Sequence, residues 1–143
     1  MKEFRGHNRL DPAGFEYMWG LSRSLTDEQI KGLAEYFGAM PPAATPRISN
    51  DRASVEGGKA IFEGGIAEKN IPACSVCHGE KAQGNKQFPR LAHQHQDYLV
   101  KQLLVFQRTD ERPEGSIMKA IAHDLTPKNM QDVTAYLQEF PDQ

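Results

Sequence analysis

The chain has 143 residues, of which 38% are hydrophobic, and its 17 basic and 19 acidic side chains leave a net charge of -2. This composition is typical of a globular chain that forms one domain or two small ones. The absence of a basic block argues against a nucleic-acid partner, and no apolar run approaches the roughly 18 residues of a transmembrane segment. We therefore expect neither nucleic-acid binding nor a membrane span.

The first strong helical pattern is LTDEQIKGLAEYFGAM, which begins at Leu25. Thr26 and Gln29 form the capping-box pair that marks a helix N-terminus, and Gly38 followed by two prolines marks its end. Apolar side chains recur on one face at helical spacing: Ile30, Leu33, Ala34 and Phe37. The pattern predicts an amphipathic helix that closes a first unit over residues 1–40.

Residues 41–52 are rich in proline, alanine and polar residues, which predicts a linker. A second unit then runs over residues 53–143. Its first predicted helix, SVEGGKAIFEGG, has Ser54 as the cap and ends at the glycine pair 64–65. A second predicted helix lies in HQDYLVKQLLVFQR, and a third, LTPKNMQDVTAYLQEF, has Thr126 as the cap and Pro127 in its first turn. No segment alternates like a half-buried strand, so the predicted fold class is all-α.

The two ends of the chain repeat each other with a shift of 100 residues. Identical residues occur at pairs of positions that include 18 and 118 (Met), 25 and 125 (Leu), 26 and 126 (Thr), and 36 and 136 (Tyr). The methionine stands outside the predicted helices in both copies, which favours common ancestry over the chance likeness of two capped helices. The N-terminal copy has no counterpart of the cysteine motif described next.

Both cysteines lie in PACSVCHGEKAQG, spaced as Cys74-x-x-Cys77-His78. A disulfide between them would close a very small loop and stabilise little. A thioredoxin-like site would need an adjacent strand pattern, and a zinc site would need further ligands, which His93 and His95 do not supply from one helix face. Attachment of c-type haem is the third chemistry, because this spacing lets two thiols capture the two vinyl groups on one helical turn.

The motif also predicts the axial ligands of a haem iron. The residue after the second cysteine, His78, points its imidazole at the iron, and an electron carrier needs a ligand on the opposite side. Met118 is the candidate, because it lies downstream between two predicted helices. Met130 is a rival, but it lies on the apolar stripe of the last helix, and His123 is a second rival that would give a lower potential.

Residues 53–141 resemble a class I cytochrome c domain, closest to the c4 type, which has two haem domains in tandem. The resemblance is carried by GGKAIFEGG, PACSVCHGEKAQG, FPRLAHQHQDYLVKQLLVFQR and IMKAIAHDLTPKNMQDVTAYL. It implies one covalent haem c on Cys74 and Cys77, with His78 and Met118 as ligands of its iron. It also implies that the Pro89 carbonyl accepts the Nδ1–H of the proximal histidine. His93 departs from the LAGQ pattern common in this type.

Residues 4–40 resemble the closing third of a first such domain, with Met18 in the place of its distal ligand. The chain is therefore either a cut-down form of a two-haem protein or a one-haem protein with a decayed extension. The apolar stripe of the helix after Thr26 needs a cover. We expect this helix to pack on the haem domain or on a second copy of the chain, as a homodimer through residues 1–40.

The resemblance implies an electron carrier that is not itself an enzyme and docks transiently with redox proteins near the two cysteines. Four lysines are candidates for steering an acidic partner: Lys59, Lys69, Lys81 and Lys86. Four aliphatic side chains are expected around the ring: Ile71, Leu91, Leu99 and Leu103. The alternatives are a haem c subunit or domain of a dehydrogenase, oxidase or peroxidase system, and a haem-free module stabilised by zinc or a disulfide.

The expected compartment is the periplasm, because haem is attached covalently outside the cytoplasm in the bacteria where the resemblance places this family. The polar start of the chain, MKEFRGHNRL, has no apolar core of a signal peptide. The sequence alone would equally fit a cytosolic protein. The periplasmic expectation therefore includes a signal that processing has removed.

Overall fold

The computed structural model of the chain describes residues 1–8, 14–40, 51–108 and 116–141. Most of the predicted linker, residues 41–50, lies outside the described residues. The described part contains helices and two isolated bridges but no strand, which confirms the all-α prediction. The α-helices are α1 (Lys2–Arg5), α2 (Phe15–Ser22), α3 (Asp27–Gly38), α4 (Arg52–Gly64), α5 (Ser75–His78), α6 (Gln96–Arg108), α7 (Ser116–Ala122) and α8 (Pro127–Gln138).

The core of the second unit is the crossing of α4 and α8, which α6 covers from one side. Gly58 allows the close approach, because a Cβ at this position would overlap the carbonyl oxygen of Asp132. Beside this contact, Phe62 is fully buried against Tyr136 and Phe140, with each ring-centroid distance 5.7 Å. The helix pair therefore holds the two ends of the unit together and supports the wall of the site described below.

The predicted helix ends are mostly where the sequence places them. Thr26 and Thr126 both cap their helices with a complete capping box, to Gln29 and Asn129 respectively. The Ser54 cap is wrong: α4 begins at Arg52 with Asp51 before it. The glycine pair does end α4, and Gly65 has a left-handed φ of 72°.

The methionines of the repeat do not lie in loops, contrary to the sequence-based expectation. Met18 lies in α2 and Met118 in α7, two short helices that the sequence patterns did not predict. The backbone frame of the repeat is the same in both copies: the Leu25 N–H donates to Ser22 and the Leu125 N–H to Ala122, at 3.2 and 3.1 Å. The shift of 100 residues thus relates two α-helical hairpins of matching design.

The N-terminal hairpin does not bury its apolar stripe within the described structure. Ile30 is buried, but Leu33, Tyr36 and Phe37 are exposed. The expected packing of this stripe on the haem domain is therefore not observed. On the other side of the hairpin, α1 packs on α2 and buries Phe4, and Lys2 and Arg5 pair with Asp27.

Candidate functional site

The cysteine motif forms the single turn of α5. Cys74 stands at its N-terminus and His78 at its C-terminal end, where the His78 N–H donates to the Cys74 carbonyl at 3.0 Å. His78 is buried, and its Nδ1 lies 2.8 Å from the carbonyl oxygen of Pro89. Because a carbonyl can only accept, Nδ1 carries the hydrogen of this bond, and Nε2 is the ring nitrogen left for another partner. The Pro89 carbonyl thus fixes the orientation of the His78 ring.

A tight loop brings Pro89 to the histidine. Gly84 has a φ of 85°, and its N–H donates to the His78 carbonyl at 2.8 Å. A Cβ on Gly84 would come within 3.0 Å of the backbone of Phe88, Pro89 and the next residue, so only glycine fits. The loop thus fixes the hydrogen-bond acceptor by backbone geometry alone.

Both cysteines are free thiols, and the environment of Cys74 favours its neutral form. Burial raises the pKa of the Cys74 thiol to about 11, since removal from water disfavours the thiolate. Within the described ranges, no group of three or more His, Cys, Asp and Glu side chains is placed to hold a metal ion. The arrangement gives no support to the zinc alternative, and it suits thiols that add to a vinyl carbon.

One cavity of about 310 Å³ brings the predicted site residues together. Its lining includes all five of them: Cys74, Cys77, His78, Pro89 and Met118. It also includes the four predicted aliphatic residues: Ile71, Leu91, Leu99 and Leu103. Neither rival ligand lines it, because Met130 is buried in the core and His123 is exposed. Met118 and His78 therefore line the same cavity.

One wall of the cavity, lined from residues 90–103, is partly polar, a feature that the sequence reasoning missed. Arg90, Gln94, Tyr98 and Gln102 line it at intervals of four residues, the first two before α6 and the last two within it. The wall formed by α7 and α8 is apolar apart from Thr134, whose hydroxyl donates to the Met130 carbonyl at 2.7 Å. The sequence signal for these side chains was their regular spacing of four residues. It does not correspond to one helix, because α6 begins at Gln96, between Gln94 and Tyr98. The cavity thus combines a largely apolar lining with a few polar side chains.

Two exposed apolar side chains flank this cavity at the surface. Val76, between the cysteines, is 74% exposed, and Ile117, beside the methionine, is 57% exposed. The four lysines differ in their surroundings: Lys59, Lys81 and Lys86 are exposed, with Lys59 lying 3.9 Å from Glu63, whereas Lys69 is half-buried and donates to the Asp124 carbonyl. The described part of the chain contains no helix long and apolar enough to cross a membrane.

Comparisons with known proteins bear on this geometry. Residues 55–141 match the protein family described as Cytochrome c. Cytochrome c-552 of Acidithiobacillus ferridurans is 39% identical over 138 residues, which are 96% of this chain and 58% of that protein. The solved structure of cytochrome c4 from Acidithiobacillus ferrooxidans superposes with a TM-score of 0.81 at 38% identity, covering 96% of this chain and 78% of that one.

A third relative is described as a thiosulfate dehydrogenase electron acceptor, from Stutzerimonas stutzeri, and is 30% identical over 138 residues. These cover 95% of this chain and 62% of that protein, so the chain spans about three fifths of the curated relatives that it matches. The matches confirm the resemblance to c4-type cytochromes and the haem c that the motif predicts. The chain belongs to the cytochrome c family.

Proposed function

We propose that the chain carries single electrons between redox proteins through one covalent haem c. The observation that supports this most strongly is one largely apolar cavity whose lining includes both Met118 and His78, with the Nδ1 of His78 hydrogen-bonded to Pro89. Bound haem iron supplies the chemistry by cycling between the ferric and ferrous states. His78 and Met118 would hold the iron and would leave no position for a substrate, so the proposed role is electron transfer without chemical transformation.

Each protein group has a proposed role in holding and tuning the cofactor. The Cys74 and Cys77 thiols add across the two vinyl groups, each S–H giving a carbon–sulfur and a carbon–hydrogen bond. Pro89 holds His78 in the tautomer that leaves Nε2 free. The apolar walls exclude water and lower the local dielectric, which disfavours the charge of the ferric state and raises the potential.

The polar wall of the cavity indicates whether the lining residues fit haem in particular. Haem has two propionates on the edge opposite its vinyl groups, and carboxylates need hydrogen-bond donors and a counter-charge. Arg90 and Gln94 supply such donors on the polar wall. The residues present therefore fit an amphipathic porphyrin, which a uniformly apolar cavity would not.

The proposed docking face is the exposed region around Val76 and Ile117, next to the motif and to Met118. In this proposal the apolar side chains form the centre of the contact, and the exposed Lys81 and Lys86 lie at its margin. Such a face suits a small, transient interface with a partner of opposite charge. The proposed compartment is the periplasm, since covalent attachment of haem takes place outside the cytoplasm.

Mass spectrometry of the intact, denatured chain tests the covalent part of the proposal. Expression with haem-attachment machinery should give a chain heavier by one haem, and Cys74→Ala with Cys77→Ala should give none. Reduction by one electron per chain in a redox titration tests the carrier part. A colourless chain under these conditions would point instead to a haem-free module.

A second candidate is a subunit that receives electrons from one particular redox enzyme. The relative described as a thiosulfate dehydrogenase electron acceptor supports it, because the similarity covers 95% of this chain. Fast reduction by a thiosulfate-oxidising dehydrogenase, and slow reduction by other donors of similar potential, would favour this candidate. Equal rates with several donors would favour the general carrier.

We also propose that a second copy of the chain covers the exposed stripe of α3, giving a homodimer through residues 1–40. The support is the exposure of Leu33 and Phe37 on one helix face, which water contacts at a cost. Sedimentation should show a dimer that Phe37→Glu dissociates. A chain that stays monomeric at high concentration would contradict the proposal.

A further inference from the structure

Helix α7 holds Met118, and its own hydrogen bonds are too few to keep it in place. It spans seven residues, Ser116–Ala122, whereas isolated helices below about 12 residues are marginal in water. The turn after it continues to Leu125, whose N–H donates back to the Ala122 carbonyl at 3.1 Å. The contacts between this end of α7 and the rest of the domain therefore determine how stably Met118 is positioned.

One side chain of α6 makes three of the hydrogen bonds in that attachment, beside the bond from Lys69 to the Asp124 carbonyl and the apolar packing of Ala122 and Leu125. The Gln107 Nε2 donates to the carbonyls of Ala122 at 2.7 Å, Leu125 at 2.9 Å and His123 at 3.3 Å. All three neighbours are acceptors, so the amide must present its NH₂ group to them, with one hydrogen shared. Gln107 thus ties the C-terminal end of α7 and the following turn to the long helix.

The N-terminal hairpin has the same attachment with a different donor. Arg5 at the end of α1 donates through Nη1 to the Leu25 carbonyl at 2.9 Å. Leu25 is the repeat partner of Leu125, which accepts from Gln107. Two unlike side chains thus donate to equivalent carbonyls, each from the helix that precedes the methionine-bearing one. The recurrence indicates that the bond belongs to the design of the hairpin.

We propose that Gln107 is a positioning residue for the distal ligand: its amide holds α7 so that the Met118 thioether stays on the iron. The inference rests on the proposed ligation by Met118. Loss of the amide lets the end of α7 move away from α6, which raises the population of states in which the thioether has left. An added ligand such as imidazole competes for the same position and therefore measures that population.

The test is an imidazole titration of the ferric holoprotein, followed by the weak far-red absorption band of a sulfur–iron bond. Gln107→Leu should bind imidazole at least about tenfold more tightly than the unmodified protein, as expected for the loss of several hydrogen bonds. Gln107→Arg, which places in the second unit the donor that α1 uses, should restore much of the difference. Gln131→Leu is the matched control, because its amide contacts Gln96 at the far end of α6.

The possible results separate the proposal from the ligand assignment. Unchanged imidazole affinity in Gln107→Leu, with the far-red band present, would overturn the positioning role alone, even if the variant melts at a lower temperature. Absence of the band from the unmodified protein would overturn Met118 ligation, and the positioning role with it. If Gln107→Leu does not retain haem, the imidazole affinities of Gln107→Glu and Gln107→Arg are compared instead. The glutamate carboxylate cannot donate a hydrogen bond, whereas the arginine can.

Discussion

Helices α3 and α8 have the same local design but opposite environments. Both begin at a threonine with a capping box, and φ and ψ of the two threonines agree within 3°. In α8 the repeat positions Val133, Tyr136 and Leu137 are at most 5% exposed, whereas Leu33, Tyr36 and Phe37 in α3 are 39%, 62% and 63% exposed. The difference shows that capping and periodicity specify the helix, while a partner such as α4 determines what it buries.

The largest expected effect comes from truncating the same position in the two helices. Leu137→Ala should lower the free energy of unfolding by about 2–5 kcal/mol, because it removes a buried side chain and leaves a cavity. Phe37→Ala should change it by no more than about 0.5 kcal/mol in dilute monomer, because the ring is already in water. Guanidinium unfolding followed by circular dichroism measures both, and equal losses would mean that α3 has an unseen cover.

A pair of glycine substitutions tests the role of α4 more locally. Gly58→Ala should cost about 1–3 kcal/mol or more, since its Cβ meets the Asp132 backbone and α4 must move away from α8. Gly32→Ala in α3 should instead stabilise by about 0.5–1 kcal/mol, because space is open there and alanine favours helix. Thermal melts of the two variants should therefore shift in opposite directions. A neutral Gly58→Ala would contradict the observed helix crossing.

The smallest expected effect concerns the carboxylate of Asp27, whose repeat partner in the second unit is Pro127. Hydrogen bonds from Arg5 and then Lys2 hold the pKa of Asp27 below its usual value of 3.8. A depressed carboxyl pKa stabilises the fold above the unfolded value, and this stabilisation is lost as the pH falls through the lowered pKa. The fluorescence of Trp19, the single tryptophan, should therefore change below about pH 4, and Asp27→Asn should remove this acid transition. The same transition in Asp27→Asn would assign it to another group.

The sequence predicts the strongly periodic helices well, because their caps and stripes are local. It does not predict α2 and α7, since these short helices depend on distant donors such as Arg5 and Gln107 rather than on a local cap. The five site residues could be named from the motif and the family resemblance. The polar wall could not, because Arg90 and Gln94 join Tyr98 only when the chain folds around the cavity.

We propose that one methionine of the repeat, Met118, ligates iron and that its partner, Met18, does not. Methionine-to-alanine substitution at each site, read by the far-red band of the ferric holoprotein, tests it most directly. If Met118 is the ligand, Met118→Ala abolishes the band, whereas Met18→Ala and Met130→Ala leave it unchanged. A band that persists in Met118→Ala, or disappears in either control, would contradict the assignment.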